Sequence, residues 1–482
     1  MKKSASKASV KTGGTATPKT QSATGSTASL TSGHLGSLTT DQSSALAELW
    51  LHLLALFSQP PDTHVVSTKL PKPSRSGSAS SLPSPVVESP SPVQITDEPP
   101  VSSVSSASTV PATAAPAPFT AGSGPATVGA IRNEMWLATQ DMHPDAFLLR
   151  FLRARKFDVA KAYAMYITAL KWRVESGVQD VITRGEAAIA RDQFESTKCY
   201  YYGCDQLGRP VIYINARFHN KSAQDEAMLQ RHTVYMMELG RLLLDGTETV
   251  AIVFNLGGFG MSNMDSGMVQ FLIGCLEAYY PESLGVCLIV NAPWIFSGVW
   301  KMIKPWLDPV VQAKIAFPKT SDLTQVLDAE HIPRDVSGES DSKGYAFKYP
   351  IPTDEEIAAH VIDPVKSAAL LAERMVAADA AEADAREWAT LWLAEHRPAS
   401  LAALAGGSAP AHAAASGSNS ALGGVSAART LMDARRGKWV ETQGRPTWWK
   451  YDDYHRFTTM YHRMGVISRS GGPADWTKAW SN

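Results

Sequence analysis

The sequence predicts a mixed α/β (α+β) fold in which a helical module precedes a mostly parallel β-sheet. From Tyr200 onward, short apolar runs alternate with segments whose apolar residues recur every three or four positions. That alternation is typical of parallel strands joined by crossover helices. Ahead of Tyr200 the periodic segments are helical only, and long stretches rich in Ser, Thr, Ala, Pro and Gly interrupt them.

These low-complexity stretches divide the chain, because they contain too few large apolar side chains to pack and are predicted to be disordered or linkers. The predicted division is a disordered tail (1–38), an N-terminal helix (39–58), a disordered Pro/Ser-rich insertion (59–126), a helical module (127–178), a sheet domain (195–340), and a helical, aromatic-rich C-terminal extension (341–482) with a linker near 405–427.

The N-terminal helix begins with a capping box. Thr39 and Gln42 stand three positions apart, ahead of an amphipathic pattern that ends before Pro60. A helix of this length is marginal alone, so it must dock elsewhere. Further helices of the same module are predicted at 129–137, 144–154 and 158–175.

Within the sheet domain, strands are predicted at 211–215, 250–256, 286–292 and 314–317. Helices are predicted between them at 224–244, 264–278 and 296–304. In the C-terminal extension, Asp363 and Pro364 predict the start of one long helix that ends at His396, with Trp388, Leu391 and Trp392 on its apolar face. The aromatic segment 429–467 is predicted to dock on the main domain.

Composition argues against several function classes. A formal net charge of -1 offers no general attraction for nucleic acid, and the four cysteines match no zinc spacing. Hydrolase, metalloprotease and Walker motifs are absent from the sequence, so no catalytic residue and no metal ligand is assigned. No apolar run approaches the ~18 residues of a membrane span. The sequence therefore favours a binding protein over an enzyme, in a reducing compartment.

The segment 296–306 carries a heavy apolar stripe for so short a helix. Lys304 and Pro305 predict its end, because proline disfavours helical geometry in the preceding residue. Two interpretations are open: a core helix packed on the sheet, or a movable lid over a lipid pocket with Lys301 and Lys304 beside it. The stripe consists of Phe296, Val299, Trp300, Ile303 and Trp306.

A second candidate site is the basic, apolar segment 148–157. Its four basic residues flank large apolar side chains over two helical turns. It is either a solvated helix face or a site for an anionic head group.

Several segments resemble the CRAL-TRIO family, the class that includes the fungal secretory-fourteen-like phosphatidylinositol-transfer proteins. The helical part is HPDAFLLRFLRARKFDVAKAYAMYITALKWR, and the sheet part includes YYGCDQLGRPVIYIN and EAYYPESLGVCLIVNAPWIFSGVWKMIKPWLDPVVQAKI. The resemblance covers about residues 127–340. It implies an N-terminal helical module, a sheet domain that forms a lipid cavity, and a gate helix.

The function that this resemblance implies is binding and transfer of phosphatidylinositol, with one lipid held in a gated hydrophobic cavity and exchanged at membranes. It implies no cofactor beyond the bound lipid. The expected partners are membrane phospholipids, met in transient peripheral contact, and a lipid kinase; nucleic acid is not expected. The protein is expected to be a cytoplasmic, peripherally membrane-associated monomer.

The resemblance also assigns head-group residues. Arg155 and Lys156 match the basic pair near the inositol phosphate, and Glu282 and Lys314 match the acidic and basic residues of the inositol site. The pairing is chemically sensible, because a carboxylate accepts hydrogen bonds from hydroxyls and cations pair with phosphate. Each of the four is otherwise read as a surface ion-pair residue.

Three positions depart from the family pattern. Val311 stands where related sites often have Thr, and Ile212 and Gly260 replace hydroxyl side chains that hold phosphatidylcholine in dual-lipid members. These departures argue against phosphatidylcholine as a second ligand. A carrier of a neutral sterol- or squalene-like ligand, or a non-transferring interaction scaffold, remains an alternative.

Overall fold

The computed structural model describes most of the chain outside the low-complexity stretches. The predicted tail, insertion and linker lie largely outside the described residues. The described ranges are 32–70, 124–223, 225–337, 348–405 and 426–480.

The flanks of the predicted disordered segments are packed, so the prediction was wrong there. Val65 is buried, and its N–H donates to the carbonyl of Ala126 at 2.9 Å. Leu35 and Leu38, in the predicted tail, pack against the core. A few apolar residues suffice where a neighbouring helical module supplies apolar surface and backbone partners, and composition averaged over a long segment hides them.

The predicted mixed α/β fold with a mostly parallel sheet is confirmed. The five strands follow one another in the sheet in chain order. β1 pairs antiparallel with β2, and the other neighbours are parallel. The sequence missed β1, whose three consecutive tyrosines show no alternation. The strands are β1 Cys199–Cys204, β2 Pro210–Asn215, β3 Val250–Asn255, β4 Leu284–Val290 and β5 Ile315–Ala316.

The two faces of the sheet have different roles. Ile212, Ile252 and Cys287 lie side by side in register on β2, β3 and β4, and they share one face. Because side chains alternate along a strand, Tyr213 points to the other face, where its hydroxyl donates to the carbonyl of His331 at 2.6 Å. The first face is the one that borders the site described below.

Helices cover the sheet and form the N-terminal module. The module comprises α1 Thr40–Phe57, α2 Val128–Thr139, α3 Pro144–Ala154, α4 Val159–Glu175, α5 Val178–Arg184 and α6 Asp192–Glu195. The sheet domain adds α7 Glu226–Leu242, α8 Ser266–Gly274, α9 Phe296–Ile303, α10 Pro309–Ala313 and α11 Arg334–Ser337.

The C-terminal extension is helical as well. It contains α12 Asp354–Ala359, α13 Pro364–His396, α14 Pro398–Leu404, α15 Ala427–Lys438, α16 Gly444–His455 and α17 Met460–Arg463. Single 3₁₀ turns lie at Gly185–Ala188, Ala216–Phe218, Lys221–Ala223, Met261–Asn263, Lys304–Trp306, Thr320–Gln325, Ala329–His331 and Trp476–Trp480, and π turns at Cys275–Tyr279 and Trp439–Gln443.

The N-terminal helix α1 docks on both the module and the extension. Trp50 is fully buried, and its indole N–H donates to the carboxylate of Asp145 on α3 at 2.7 Å. The indole N–H of Trp392 on α13 donates to the hydroxyl of Ser44 at 3.1 Å. The marginal helix is thus stabilised by tertiary contacts.

The extension packs mainly on the helical module. Arg374 of α13 is fully buried, and its Nη2 donates to the carbonyls of Trp136 at 2.9 Å and Gln140 at 2.8 Å. The segment predicted to dock on the main domain also touches the sheet, because the hydroxyl of Tyr461 donates to the carbonyl of Tyr201 on the edge strand β1 at 2.8 Å.

One residue predicted on the apolar face of α13 lies elsewhere. Trp388 and Trp392 are buried, whereas Leu391 is 40% exposed. Leu393 is fully buried in its place. Both α1 and α15 pack on α13. Their packing determines which residues of α13 are buried, and Leu391 falls outside that set although the three-residue pattern had included it.

The capping box of α1 is confirmed and offers a first prediction. The Thr39 hydroxyl accepts from the N–H of Gln42 at 3.2 Å, and the Gln42 side chain accepts from the N–H of Thr39 at 2.9 Å. Thr39→Ala should lower the free energy of unfolding by about 1 kcal/mol. Thr40→Ala, at the next exposed position, is the matched control, with a change within about 0.5 kcal/mol. Urea unfolding of both variants measures the difference, and equal losses would contradict the capping role.

Candidate functional site

A cavity of about 340 Å³ lies against the first face of the sheet. Its floor is built from alternate residues of β2, β3 and β4, including Ile212, Ile252 and Cys287, and α7 and α8 contribute its side walls. The lining is predominantly apolar, and the volume falls within the range of roughly 300–1,000 Å³ that is typical of small-molecule sites. Such a cavity suits an apolar or amphipathic ligand.

Helix α9 closes the cavity. Four of the five residues predicted for the gate line it, namely Phe296, Val299, Trp300 and Ile303. Phe296 and Val299 are buried, and Trp300 and Ile303 are half-buried. The Phe296 ring packs edge-on against Phe259, with 6.0 Å between centroids.

Trp306, the fifth predicted gate residue, lies outside the cavity lining in the described structure, and Leu307 lines the cavity instead. The α-helix ends at Ile303 and continues as the 3₁₀ turn Lys304–Trp306. Leu307 follows this turn with an extended backbone (φ -89, ψ 137), so its side chain is no longer placed by the helical period.

Hydrogen bonds hold the chain on both sides of α9. At its start, Asn291 has a left-handed backbone (φ 54), which Asn tolerates better than most residues. Its side-chain amide donates to that of Asn255 at 3.0 Å, and Asn255 donates to Asn215 at 2.9 Å, so three strand ends are linked. Beyond its end, the amide of Gln312 donates to the carbonyl of Leu307 at 2.8 Å.

The predicted head-group residues lie near one edge of the cavity but outside its lining in the described structure. Glu282 and Lys314 come just before β4 and β5, so they share the amino edge of these parallel strands. Both are half-buried, and the Lys314 ammonium donates to the carbonyl of Leu284 at 2.8 Å. The structure therefore places these two residues at the same edge of the sheet.

The basic pair sits at the end of α3. Arg155 is half-buried and Lys156 is exposed. Lys156 has a left-handed backbone (φ 51), as has Glu282 (φ 56), and such strain costs about 1–3 kcal/mol per residue and is concentrated at functional sites.

Glu277 is a residue near this edge that the sequence did not assign to the site. Burial raises the pKa of its carboxyl, and the positive charge of Arg155 opposes that rise. Its carboxylate accepts from the N–H of Asp308, just past the gate, at 3.0 Å. Glu277 thus interacts with Arg155 through its charge and with the residues that follow α9 through a hydrogen bond. In the sequence, only its position in a helix, and not its residue type, could have indicated a place near the site.

Two further cavity residues, Arg173 and Tyr280, belong to a buried ionic network. Arg173 donates to Glu134 and to Glu238, each at 2.6 Å, and the hydroxyl of Tyr280 donates to Glu238 at 2.8 Å. Burial alone would raise the pKa of Glu238, but the cations Arg173 and Arg241 lower it to about 2. Two carboxylates thus neutralise the charge of Arg173, although its Nη2 has no hydrogen-bond partner among the described residues.

Arg150 of α3, one of the four basic residues of the segment 148–157, is a further cavity residue, although the family resemblance did not assign it to the head group. It is 5% exposed and lines the cavity. Its Nη1 donates to the backbone carbonyl of Glu282 at 3.2 Å. Burial lowers the pKa of its guanidinium to about 10. The sequence signal was an arginine inside a helix whose neighbours are all apolar.

Two features are absent from the described residues, a metal-binding cluster and a membrane-spanning helix. No cluster of three His, Cys, Asp or Glu side chains suited to a metal occurs in these ranges. Nor does any helix there combine the length and apolar character that crossing a membrane requires.

Comparisons with known proteins place this geometry in a family. Models of the CRAL/TRIO domain and of the CRAL/TRIO N-terminal domain match residues 194–338 and 105–168. The crystal structure of Sfh5 aligns with a TM-score of 0.36 at 22% identity, over 42% of this chain and 73% of that one.

Several curated proteins with similar sequences are fungal. The phosphatidylinositol transfer protein CSR1 of Eremothecium gossypii is 40% identical over 51% of this chain, and the CRAL-TRIO domain-containing protein C3H8.02 of Schizosaccharomyces pombe is 39% identical over 46%. The matched regions span 58% and 51% of those two proteins. The SEC14 cytosolic factor of Eremothecium gossypii is 33% identical over 41% of this chain and 70% of its own length. The chain therefore belongs to the CRAL-TRIO family that its sequence resembles.

Proposed function

We propose that this protein binds phosphatidylinositol and transfers it between membranes, holding one lipid with its acyl chains in the cavity and α9 as the gate. The observation that carries the proposal is the apolar cavity that four residues of α9 close. The name of the relative CSR1, a phosphatidylinositol transfer protein at 40% identity, supports the choice of lipid.

The energetics of a lipid monomer explain why such a cavity is needed. The two acyl chains of a phospholipid contain some 30 methylenes, and at ~0.8 kcal/mol each they cost on the order of 20–25 kcal/mol to expose to water. A carrier lowers this cost by supplying apolar surface. It also needs an element that opens the cavity where the lipid is delivered. We assign this role to α9.

The arrangement of the edges suggests how the lipid is oriented. We propose that the inositol phosphate lies at the amino edge of β4 and β5, where Arg155, Lys156, Glu282 and Lys314 supply two kinds of contact. The cations pair with phosphate, and the carboxylate accepts from ring hydroxyls. The chains then run beneath α9 toward Phe296.

The outer surface of the gate suits a bilayer. Trp294 is 87% exposed, just ahead of α9, and Lys301 and Lys304 are exposed on or beside the helix. Trp is favoured at membrane interfaces, and each lysine near an anionic surface contributes about 1 kcal/mol. We propose a peripheral, transient membrane contact at this surface, made by a cytoplasmic, non-enzymatic monomer that supplies lipid to a lipid kinase.

Lipid mass spectrometry of the purified protein, followed by transfer of phosphatidylinositol between vesicles, tests the proposal. An inositol phospholipid bound at one per chain, with protein-dependent transfer, is the expected result. A sterol or another neutral lipid as sole ligand would favour the neutral-carrier alternative. Empty protein that does not accelerate transfer would favour a scaffold.

Trp294→Ala isolates the membrane contact. We expect binding to vesicles that contain anionic lipid to fall by about tenfold, because burying a large apolar side chain contributes roughly 1.5–3 kcal/mol. Stability should be unchanged, since the side chain is exposed. Leu207→Ala is the matched control, because Leu207 is 70% exposed in the turn ahead of β2, on the other side of β3 from the gate. Co-sedimentation measures both, and equal losses would exclude a specific role for Trp294.

A further inference from the structure

Arg150 is a buried cation whose hydrogen-bonding capacity is incompletely used. Its side chain lies 5% exposed in the cavity wall. Nη1 donates to the carbonyl of Glu282 at 3.2 Å, and Nη2 is buried with no hydrogen-bond partner among the described residues. A buried guanidinium is costly unless it is paired, so an incompletely paired one indicates a missing partner.

The neighbouring carboxylates are engaged elsewhere. Glu248 is the carboxylate whose charge acts most on Arg150, but it accepts from Arg153 at 2.5 Å and lies 3.3 Å from His34. Arg173 also lines the cavity, and its Nη2 likewise has no hydrogen-bond partner among the described residues, but Glu134 and Glu238 neutralise its charge. Arg150 differs because no carboxylate among the described residues forms an ion pair with it.

The position of Arg150 indicates the chemistry of the partner. The residue donates to the backbone of Glu282, beside the edge where the inositol group is proposed to lie, and it also faces an apolar cavity. A ligand at this point has apolar chains on one side and a polar head on the other. The group that joins them in a phospholipid is a phosphodiester, whose two free oxygens match the planar fork of a guanidinium.

We propose that Arg150 binds the phosphodiester of an anionic phospholipid from inside the cavity, at a subsite separate from the surface residues that contact the inositol ring. This inference rests on the proposed function and specifies its ligand class. Lipids without an anionic oxygen should bind the cavity more weakly, because they would leave the guanidinium unpaired. Phosphatidylinositol has one phosphate, so Arg150 meets it from the cavity side, while the cations of the amino edge meet it, and Glu282 the ring hydroxyls, from the surface side.

The test compares Arg150→Met and Arg150→Lys with wild type. The proteins are exchanged against vesicles of phosphatidylcholine with equal amounts of phosphatidylinositol and cholesterol, and bound lipid is identified by native mass spectrometry. Arg150→Met should lose phosphatidylinositol occupancy relative to cholesterol by about tenfold or more, because hydrogen bonds to a charged group are lost. Arg150→Lys, which keeps the charge without the fork, should fall between.

Stability separates this role from a structural one. In protein stripped of lipid and shown by native mass spectrometry to carry no phospholipid, Arg150→Met should melt at the wild-type temperature or above it, because replacing an incompletely paired buried charge by an apolar side chain is neutral or stabilising. Arg463→Met is the matched control: Arg463 lies outside the cavity lining in the described structure, and its buried partner Glu186 loses an ion pair, so the melting temperature should fall while lipid selectivity stays.

Three outcomes would overturn the inference. Arg150→Met with wild-type selectivity, or with a lowered melting temperature and equal loss of both lipids, would show a structural arginine. Soluble glycerophosphoinositol that stabilises wild type as much as the lipid does would show a site for a free phosphodiester. Wild type that takes up no phosphatidylinositol would overturn the proposed function itself, and this inference with it.

Discussion

Replacing both Trp300 and Ile303 of α9 by aspartate is expected to reduce lipid retention and transfer by about 100-fold or more, because each carboxylate facing apolar surface costs at least about 2 kcal/mol. Both side chains line the cavity and are half-buried. The charges raise the free energy of the closed gate, while an open gate leaves them in water. The equilibrium therefore shifts toward the open state, and the bound lipid is lost.

The measurement is the dissociation of a fluorescent phosphatidylinositol from the protein in solution, where no membrane contact contributes. Ser297→Asp with Met302→Asp is the matched control, because it adds two charges to the exposed face of the same helix. That control should retain lipid at nearly the wild-type rate. Equal loss from both double variants would mean that helix charge, and not closure over the cavity, is responsible.

Removing the head-group contacts is expected to separate selectivity from folding. Glu282→Gln with Lys314→Met should reduce phosphatidylinositol transfer by about tenfold or more, since a charge-assisted contact in a recess contributes roughly 1.5–3 kcal/mol. The stability loss should be near 1 kcal/mol, because the bond from Lys314 to the carbonyl of Leu284 disappears. Loss of the Glu282 charge alone should change the stability little, because a partly solvated ion contributes little to stability.

The control for this pair is Glu330→Gln with Lys348→Met, which makes the same charge changes at two exposed positions. Vesicle transfer of phosphatidylinositol and of cholesterol is measured for both double variants. Cholesterol transfer, if wild type supports it, should survive in the head-group variant because it depends on the cavity. A large fall in melting temperature with loss of both lipids would show that Glu282 and Lys314 are structural.

Much of the local structure follows from the sequence alone. The capping box of Thr39 and Gln42, and the long helix that begins after Asp363 and ends at His396, are in place as predicted. So are the parallel strands, and four of the five residues of the apolar stripe on α9 line the cavity. These features depend on hydrogen bonds and side-chain periods within a few residues, and neighbouring residue types determine such interactions directly.

The tertiary structure alone decided which side chains meet. Arg150 and Arg153 look alike in sequence, yet Arg150 reaches the carbonyl of Glu282, 132 positions away, and Arg153 reaches Glu248. Leu307, and not Trp306, lines the cavity because the chain leaves the helical conformation at Leu307 and becomes extended there. Periodicity gives the faces of an element but not what covers them, since that depends on the packing of distant elements. The partner of a buried charge can therefore be identified only from the folded structure.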